Sequence, residues 1–301
     1  MKDMKKTTLA DISLLFVAFI WGSTFVIVQK AIQFLPPHFF NGTRFLIAAL
    51  LLLIFMKKKS KFSLTLLGSG MFLGMFLFLG YAFQTVGLLY TTSSKTGFIT
   101  GLSVMIVPLF AIWILKEKPR SIVFLSAFIG ALGLYFLTIG DKMSMNIGDL
   151  LVFFCAIAFA LHIIFTSKFS SKHGAIPLTI VQLSTVSLLS FISSSMFEKT
   201  SFTYDALFNR DVIIALVITS IFATAIAFLI QTKFQQFTTA PRVALIFAME
   251  PVFAALTAFI VINERLSGSG LIGCLLIFIA MIVTEFPDFK EIKRIKQKHG
   301  M

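Results

Sequence analysis

"FQTVGLLYTTSSKTG", residues 83–97, returns 147 positions later as "IQTKFQQFTTAPRVA", residues 230–244. Gln84 meets Gln231, Thr85 meets Thr232, Thr91–Thr92 meets Thr238–Thr239, and Lys95 meets Arg242. The register runs on without a gap to Glu117 of "LKEKP" and Glu264 of "INERL". A Gln-Thr, a Thr-Thr, a base and an acid in one register mark a duplicated chain, with halves spanning 1–145 and 146–301.

Hydropathy says what each half is made of. The 301 residues are 57% hydrophobic and 13% charged, with a mean hydropathy of +0.95. A water-soluble domain carries about 25% charged residues. The apolar residues come in blocks near twenty long, the length of a membrane-spanning helix. Ten such blocks are expected at about 11–30, 38–56, 64–90, 93–115, 121–140, 149–168, 178–197, 211–236, 240–262 and 268–286. The expected fold is therefore an all-α membrane protein of ten transmembrane helices, five in each half. An odd number of spans turns the second copy upside down. Inverted repeats of this kind recur in secondary transporters, with cargo held near the bilayer midplane between the halves. Some channels share the symmetry.

Charge sets the orientation. With a cytoplasmic N-terminus, nineteen lysines and arginines fall on the inner side and six on the outer, and Arg44 lies within a span. The positive-inside bias thus puts both termini in the cytoplasm of a multi-pass cell-membrane protein. The formal charge of +13 sits in short loops, so its expected partners are anionic lipid headgroups and not nucleic acid. The first apolar block is too long for a signal peptide and lacks a small-residue cleavage site, so it is expected to stay in the mature protein. Cys155 and Cys274 lie inside spans and read as packing residues.

"FAMEPVFAAL", residues 247–256, places Glu250 and Pro251 in the ninth span, with Arg242 and Glu264 the nearest charges. At 1.5 Å per residue Glu250 lies about 12 Å from Arg242 and about 21 Å from Glu264. A carboxylate at that depth costs about 2.5–3.5 kcal/mol, so it is expected to face a cavity or a partner. Pro251 leaves the Phe247 carbonyl without its helical donor, which is tolerated where backbone lines a cavity. Together they suit a proton or a substrate's amine; the alternative is a kinked helix whose acid serves packing.

Other polar residues share helical faces. Tyr81 and Gln84 stand with Gly70 and Gly74 in the third span, and Ser220, Thr224, Ala227 and Gln231 line one side of the eighth. Trp21 and Thr24 share a face of the first span, and His162 lies in the sixth. The candidate substrate-binding set is therefore Glu250, Trp21, Thr24, Tyr81, Gln84, His162 and Gln231. Gly70, Gly74, Gly97 and Gly101 fit close helix approach. Arg44, two turns from the outer end of its span, is expected to snorkel. Lys95 and Arg242 suit anchoring or gating at helix starts, and Glu117 and Glu264 suit the turns after the fourth and ninth spans.

Four segments, "FIWGSTFVIVQKAI" (19–32), "RFLIAALLLL" (44–53), "FITGLSVMIVPLFAIWILKEKP" (98–119) and "MEPVFAALTAFIVINERL" (249–266), resemble the EamA-type members of the drug/metabolite transporter superfamily. The resemblance covers roughly residues 11 to 286. It implies ten helices in two inverted five-helix repeats, and export or exchange of small metabolites, often amino acids. Where the family often has a second tryptophan matching Trp21, this chain has Phe159, followed by His162.

Enzymatic function is not expected. His38, His162, His173 and His299 have no metal-pair spacing, and no P-loop is present, so neither a metal, a cofactor nor ATP is implied. The remaining alternatives are a channel or facilitator for small polar solutes and a membrane-embedded lipid-handling enzyme. Substrate identity, direction, coupling ion and oligomeric state are not encoded in any of these signals.

Overall fold

The computed structural model describes residues 2–56, 62–116, 119–138, 146–198, 204–262 and 267–285. Among the described residues every regular element is helical. Helix α1 covers Lys2–Ala31 and α2 Pro37–Ile54. Pro37 sits at the start of α2, where its missing N–H costs nothing. The Glu198 carboxylate accepts the next two N–H groups, from His38 at 2.7 Å and Phe39 at 3.1 Å, closing that helix end. Helix α3, Leu64–Gly87, starts on Ser63, whose hydroxyl accepts the Leu66 N–H.

The fourth expected span is not one regular helix. It consists of α4 (Ser93–Gly101), capped by Thr92, then α5 (Ser103–Phe110) and a wide π-turn at Ala111–Leu115. Lys116 ends it in the left-handed region at φ 55°, a conformation that is strained for a side chain with a Cβ. Helix α6 covers Ser121–Thr138.

The second half opens with α7, Ile147–Phe169, on a reciprocal cap: Asn146 accepts the Asp149 N–H and Asp149 accepts that of Asn146. Helix α8 is Ala175–Phe197. The eighth expected span divides into α9 (Arg210–Ile218), a π-helical stretch at Thr219–Ile226 and α10 (Ala227–Phe234). The ninth divides into α11 (Ala240–Phe247) and α12 (Glu250–Ile262), broken immediately before Pro251. Helix α13 covers Gly268–Glu285. Glu117, Glu264, the lysines at 57–61 and the basic tail lie outside the described residues.

Among the described residues, eight helical stretches are long and apolar enough to cross a membrane, and two shorter apolar ones, Ser121–Phe136 and Gly268–Val283, accompany them. Burial is inside-out for a soluble protein: Asn41, Gln182, Thr219 and Gln235 are fully buried, while Trp113, Leu64, Phe197 and Ile260 point outward. This is a multi-pass membrane protein.

The halves interlock. Helix α2 packs on α8, α6 on α13, and α3 on both α7 and α8; α1 packs on α9 to α12, and α4 and α5 pack on α7. Small residues permit the closest approaches. A Cβ on Gly74 would lie 2.7 Å from the Gln182 carbonyl and one on Gly70 2.6 Å from Val181. Gly97 behaves otherwise than expected. Its nearest neighbour would be Pro251 at an ordinary 3.6 Å, because this glycine borders a cavity and no tight helix contact.

Candidate functional site

At the level where α4–α5 and α11–α12 are broken, a cavity of about 70 Å³ opens between the two halves. Its walls come from α1 to α5 in one half and from α7, the π-helical stretch at Thr219–Ile226 and α10 to α12 in the other, so no single half encloses it. Trp21, Thr24, Tyr81, Gln84, His162, Gln231 and Glu250 all line it. The face-by-face periodicities of separate spans thus converge on one place.

Each wall residue is held by its helix and one neighbour. Trp21 Nε1 donates to the Ala223 carbonyl at 2.8 Å, inside the π-helical stretch. The indole then packs against Phe228 and Phe247, with ring centroids 5.3 and 5.0 Å away. Thr24 donates to the Trp21 carbonyl, and Gln84 Nε2 reaches Thr100 Oγ1 at 3.4 Å. His162 Nε2 lies 3.0 Å from Gln182 Oε1; that oxygen only accepts, so the ring N–H points at it. Gln182 Nε2 donates on to Thr232. Gln231 Nε2 donates to Gln235, but Gln231 Oε1 is buried with no hydrogen-bond partner.

Glu250 sits at the first residue of α12, beside Pro251, with part of its surface open to the cavity. Among the described residues no hydrogen bond or ion pair reaches its carboxylate. The packing alternative, an acid bonded to a neighbouring side chain, is not what the structure contains.

Arg44 corrects the sequence reading. It does not snorkel: it is 3% exposed and lines the same cavity. Its guanidinium lies over the rings of Tyr81, Phe45 and Phe40, at 4.7, 5.0 and 5.9 Å from the centroids, and Nε donates to Thr224 Oγ1 at 3.3 Å. Desolvated cation–π contacts are worth roughly 2 kcal/mol each and offset part of the cost of burying the charge. No carboxylate pairs with it among the described residues. The Tyr81 phenol is within electrostatic reach of both Arg44 and Glu250. The cavity therefore holds one guanidinium and one carboxyl group, neither with an ion-pair partner among the described residues.

A family profile, the EamA-like transporter family, matches the sequence twice, over residues 8–139 and again over 146–286. The chain belongs to this family. Curated relatives agree with that placement: an uncharacterized transporter of Archaeoglobus fulgidus is 35% identical over 92% of this chain and 86% of its own length. The uncharacterized transporter YoaV of Bacillus subtilis is 25% identical over 94% and 98%, and YvbV of the same organism 26% identical over 92% and 91%. A solved crystal structure superposes with a TM-score of 0.75 at 18% identity, covering 92% of this chain and 96% of its own, which establishes a shared fold.

Against that EamA-like background, the residues that sequence reasoning left out are Arg44, Thr100, Ser103 and the aromatic rings of Phe228 and Phe247, all at the cavity. Arg44 had a visible signal, a charge inside an apolar block. The phenylalanines had none, because 37 of them are spread through the chain.

Proposed function

We propose that this EamA-like protein is a secondary transporter for small metabolites that carry an ammonium and a carboxylate, amino acids or close relatives, exported or exchanged through the cavity between its halves. The observation that carries this reading is the pair of opposite charges, Glu250 and Arg44, that share one buried cavity without an ion-pair partner among the described residues. A zwitterion would satisfy both at once. Its carboxylate would take the guanidinium N–H donors that Arg44 does not spend on Thr224 and Tyr81, and its ammonium would meet Glu250. The unpartnered Gln231 Oε1 offers a further acceptor, and Trp21, Phe228 and Phe247 offer an apolar wall for a side chain. Between cargoes Glu250 takes a proton, which spares a bare charge in the low-dielectric interior.

The architecture fitting this function is ten transmembrane helices in two inverted repeats, 1–145 and 146–301, with both termini cytoplasmic. Three observations support it. The family profile matches once in each half. The helix contacts exchange under the swap of halves: α1 against the α9–α10 segment has its counterpart in α7 against α3, and α1 against α11–α12 in α7 against α4–α5. Threading the sequence through ten spans puts nineteen basic residues on one side and six on the other.

At about 70 Å³ the cavity has room for a few waters and is about half the size of an apolar void of about 150 Å³ that takes benzene. A metabolite is admitted only when the halves move apart, as alternating access requires. The test is counterflow in proteoliposomes with a labelled small neutral amino acid, a methylammonium-type cation and a short carboxylate as probes. Acceleration of the zwitterion by the same compound on the far side, lost in Glu250→Gln and in Arg44→Met, supports the reading. Flux indifferent to the far side would make the protein a channel, and flux indifferent to both substitutions would move the binding site elsewhere.

A further inference from the structure

Two ion pairs join the halves of the molecule. Arg242 at the start of α11 forks onto Asp11 of α1, with Nε 3.0 Å from Oδ1 and Nη2 on Oδ2. Lys95 near the start of α4 lies 3.5 Å from Asp149 Oδ2 at the start of α7, and the Thr91 hydroxyl donates to Asp149 Oδ1 at 2.6 Å. In both, the base comes from one half and the acid from the other.

The sequence register makes them copies of one another. Lys95 and Arg242 are partners in the 147-residue repeat. The two family matches begin at residues 8 and 146, and Asp11 and Asp149 each stand three residues beyond those starts. Thr91, on the Asp149 pair, corresponds to Thr238, whose buried hydroxyl has no hydrogen-bond partner, so the repetition covers the acid and the base but not the hydroxyl. One interaction has therefore been duplicated, acid to base in each half, with the halves exchanged.

They lie at opposite ends of the cavity. The Ser93 hydroxyl donates to Gln29 Oε1 at 2.6 Å, which ties the start of α4 to the far end of α1. From Asp11 to Gln29 is 18 residues of continuous helix, about 27 Å. Trp21, on the cavity wall, stands between them. All four charged side chains are largely but not wholly buried, with 6% to 21% of their surface exposed, so water and salt reach each pair as soon as its end loosens.

We infer that Asp11–Arg242 and Lys95–Asp149 are paired latches on opposite ends of the cavity, one broken while the other holds in each half of a transport cycle. This rests on the two-bundle carrier reading above and adds four positioning residues to it. Both latches are closed here, in keeping with a cavity too small for cargo. Neutralising one base weakens closure at its own end alone and biases the population toward opening there, by up to about fivefold for an ion pair of this exposure.

The test uses the full chain in cells and in inverted membrane vesicles. A reporter cysteine replaces Ser103 at the cavity, with Cys155→Ala and Cys274→Ser removing the native thiols, and a membrane-impermeant thiol reagent is applied from either side. Arg242→Gln is expected to raise labelling from the Asp11 side and lower it from the other. Lys95→Gln is expected to do the reverse, and the exchange Asp11→Arg with Arg242→Asp to return labelling toward the parent pattern. Labelling unchanged in both variants, shifted the same way in both, or unrestored by the exchange in protein that still elutes as a single species would overturn the inference. The readout needs no cargo. Opposite labelling shifts without counterflow of any probe would sustain the latches and sink the cargo assignment. Counterflow without those shifts would do the opposite.

Discussion

Replacing Gly22 by alanine isolates the contact that holds Glu250 in place. Gly22 of α1 faces the break between α11 and α12. A Cβ built there would stand 2.3 Å from the Glu250 carbonyl oxygen, 2.9 Å from the Ala254 nitrogen and 3.0 Å from the Phe253 Cβ. Two of the three are backbone atoms, so no rotamer change relieves the overlap. Restoring ordinary contact needs α1 and α12 to part by about 1 Å, and overpacking of this kind costs about 1–3 kcal/mol. At about 2 °C per kcal/mol for a chain of this size, thermal unfolding in detergent should fall by about 2–6 °C. The displacement acts on the residue that carries the carboxylate, so counterflow should fall further than stability alone explains. Gly97→Ala is the control, since its Cβ meets only Pro251 at 3.6 Å, and it should unfold within about 1 °C of wild type. The reasoning is refuted if Gly22→Ala unfolds at the wild-type temperature while Gly97→Ala does not.

Three further outcomes are expected. Glu250→Gln keeps the fold but flattens the pH profile of transport, measured as counterflow rate between pH 5 and 9; a profile that persists would remove the proton role and leave only the amine role. Arg44→Met keeps the aromatic contacts of a long side chain among Phe40, Phe45 and Tyr81 but loses the guanidinium. Half-saturation for a zwitterion should rise about 10- to 100-fold, the worth of one hydrogen bond to a charged group. Gln182→Leu leaves both His162 Nε2 and Thr232 Oγ1 without the partner they have now, and should cost about 1–3 kcal/mol for each group left buried and unpaired, read as a drop in unfolding temperature.

The helix positions were legible because a bilayer leaves few choices: a stretch of twenty apolar residues has to satisfy its backbone internally, and a helix does so. The convergence of Trp21, Tyr81, Gln84, His162 and Gln231 was legible because polar side chains on otherwise apolar helices avoid lipid and turn inward. Backbone irregularity was only half legible. Pro251 announced the break beside it. The matching break at Leu102 has no such signal, since the proline of that helix, Pro108, lies further along. The π-helical stretch at Thr219–Ile226 is likewise set by tertiary partners, with Ala223 receiving the Trp21 indole and Thr224 the Arg44 guanidinium. Arg44 was misread by counting turns to the membrane surface, which ignores what the rest of the fold supplies. Tyr81 arrives from α3, and with Phe40 and Phe45 it makes burial preferable to extension toward water. The latches were hidden for a simpler reason: Asp11 carries no local motif, the one Asp149 carries is a helix cap with Asn146, and the pairing across the halves shows only in the folded chain.

On the carrier reading proposed above, the scaffold repeats itself where it would move and departs from repetition where it would recognise cargo. Alongside the two ion pairs, Asn41 bonds Thr85 at 3.0 Å and Gln182 bonds Thr232 at 3.0 Å, and Thr85 and Thr232 are partners in the 147-residue register. The helix breaks at Leu102 and at Ala248–Met249 match in the same register. At the cavity the matching is only partial: Gln84 and Gln231, partners in that register, both line it, and other wall positions differ. Glu250 corresponds to Ser103, Trp21 to Phe159 and Thr24 to His162, so the wall facing one end is acidic and the other is not. Repeated parts give the two ends equal means of closing, which a carrier needs if it is to open to either side from one resting structure. A cavity built equally symmetric would present two identical half-sites and bind a two-fold symmetric ligand best. Cargo with distinct ends, such as an ammonium and a carboxylate, requires the symmetry to fail at the residues that touch it, and Glu250 is where it fails most.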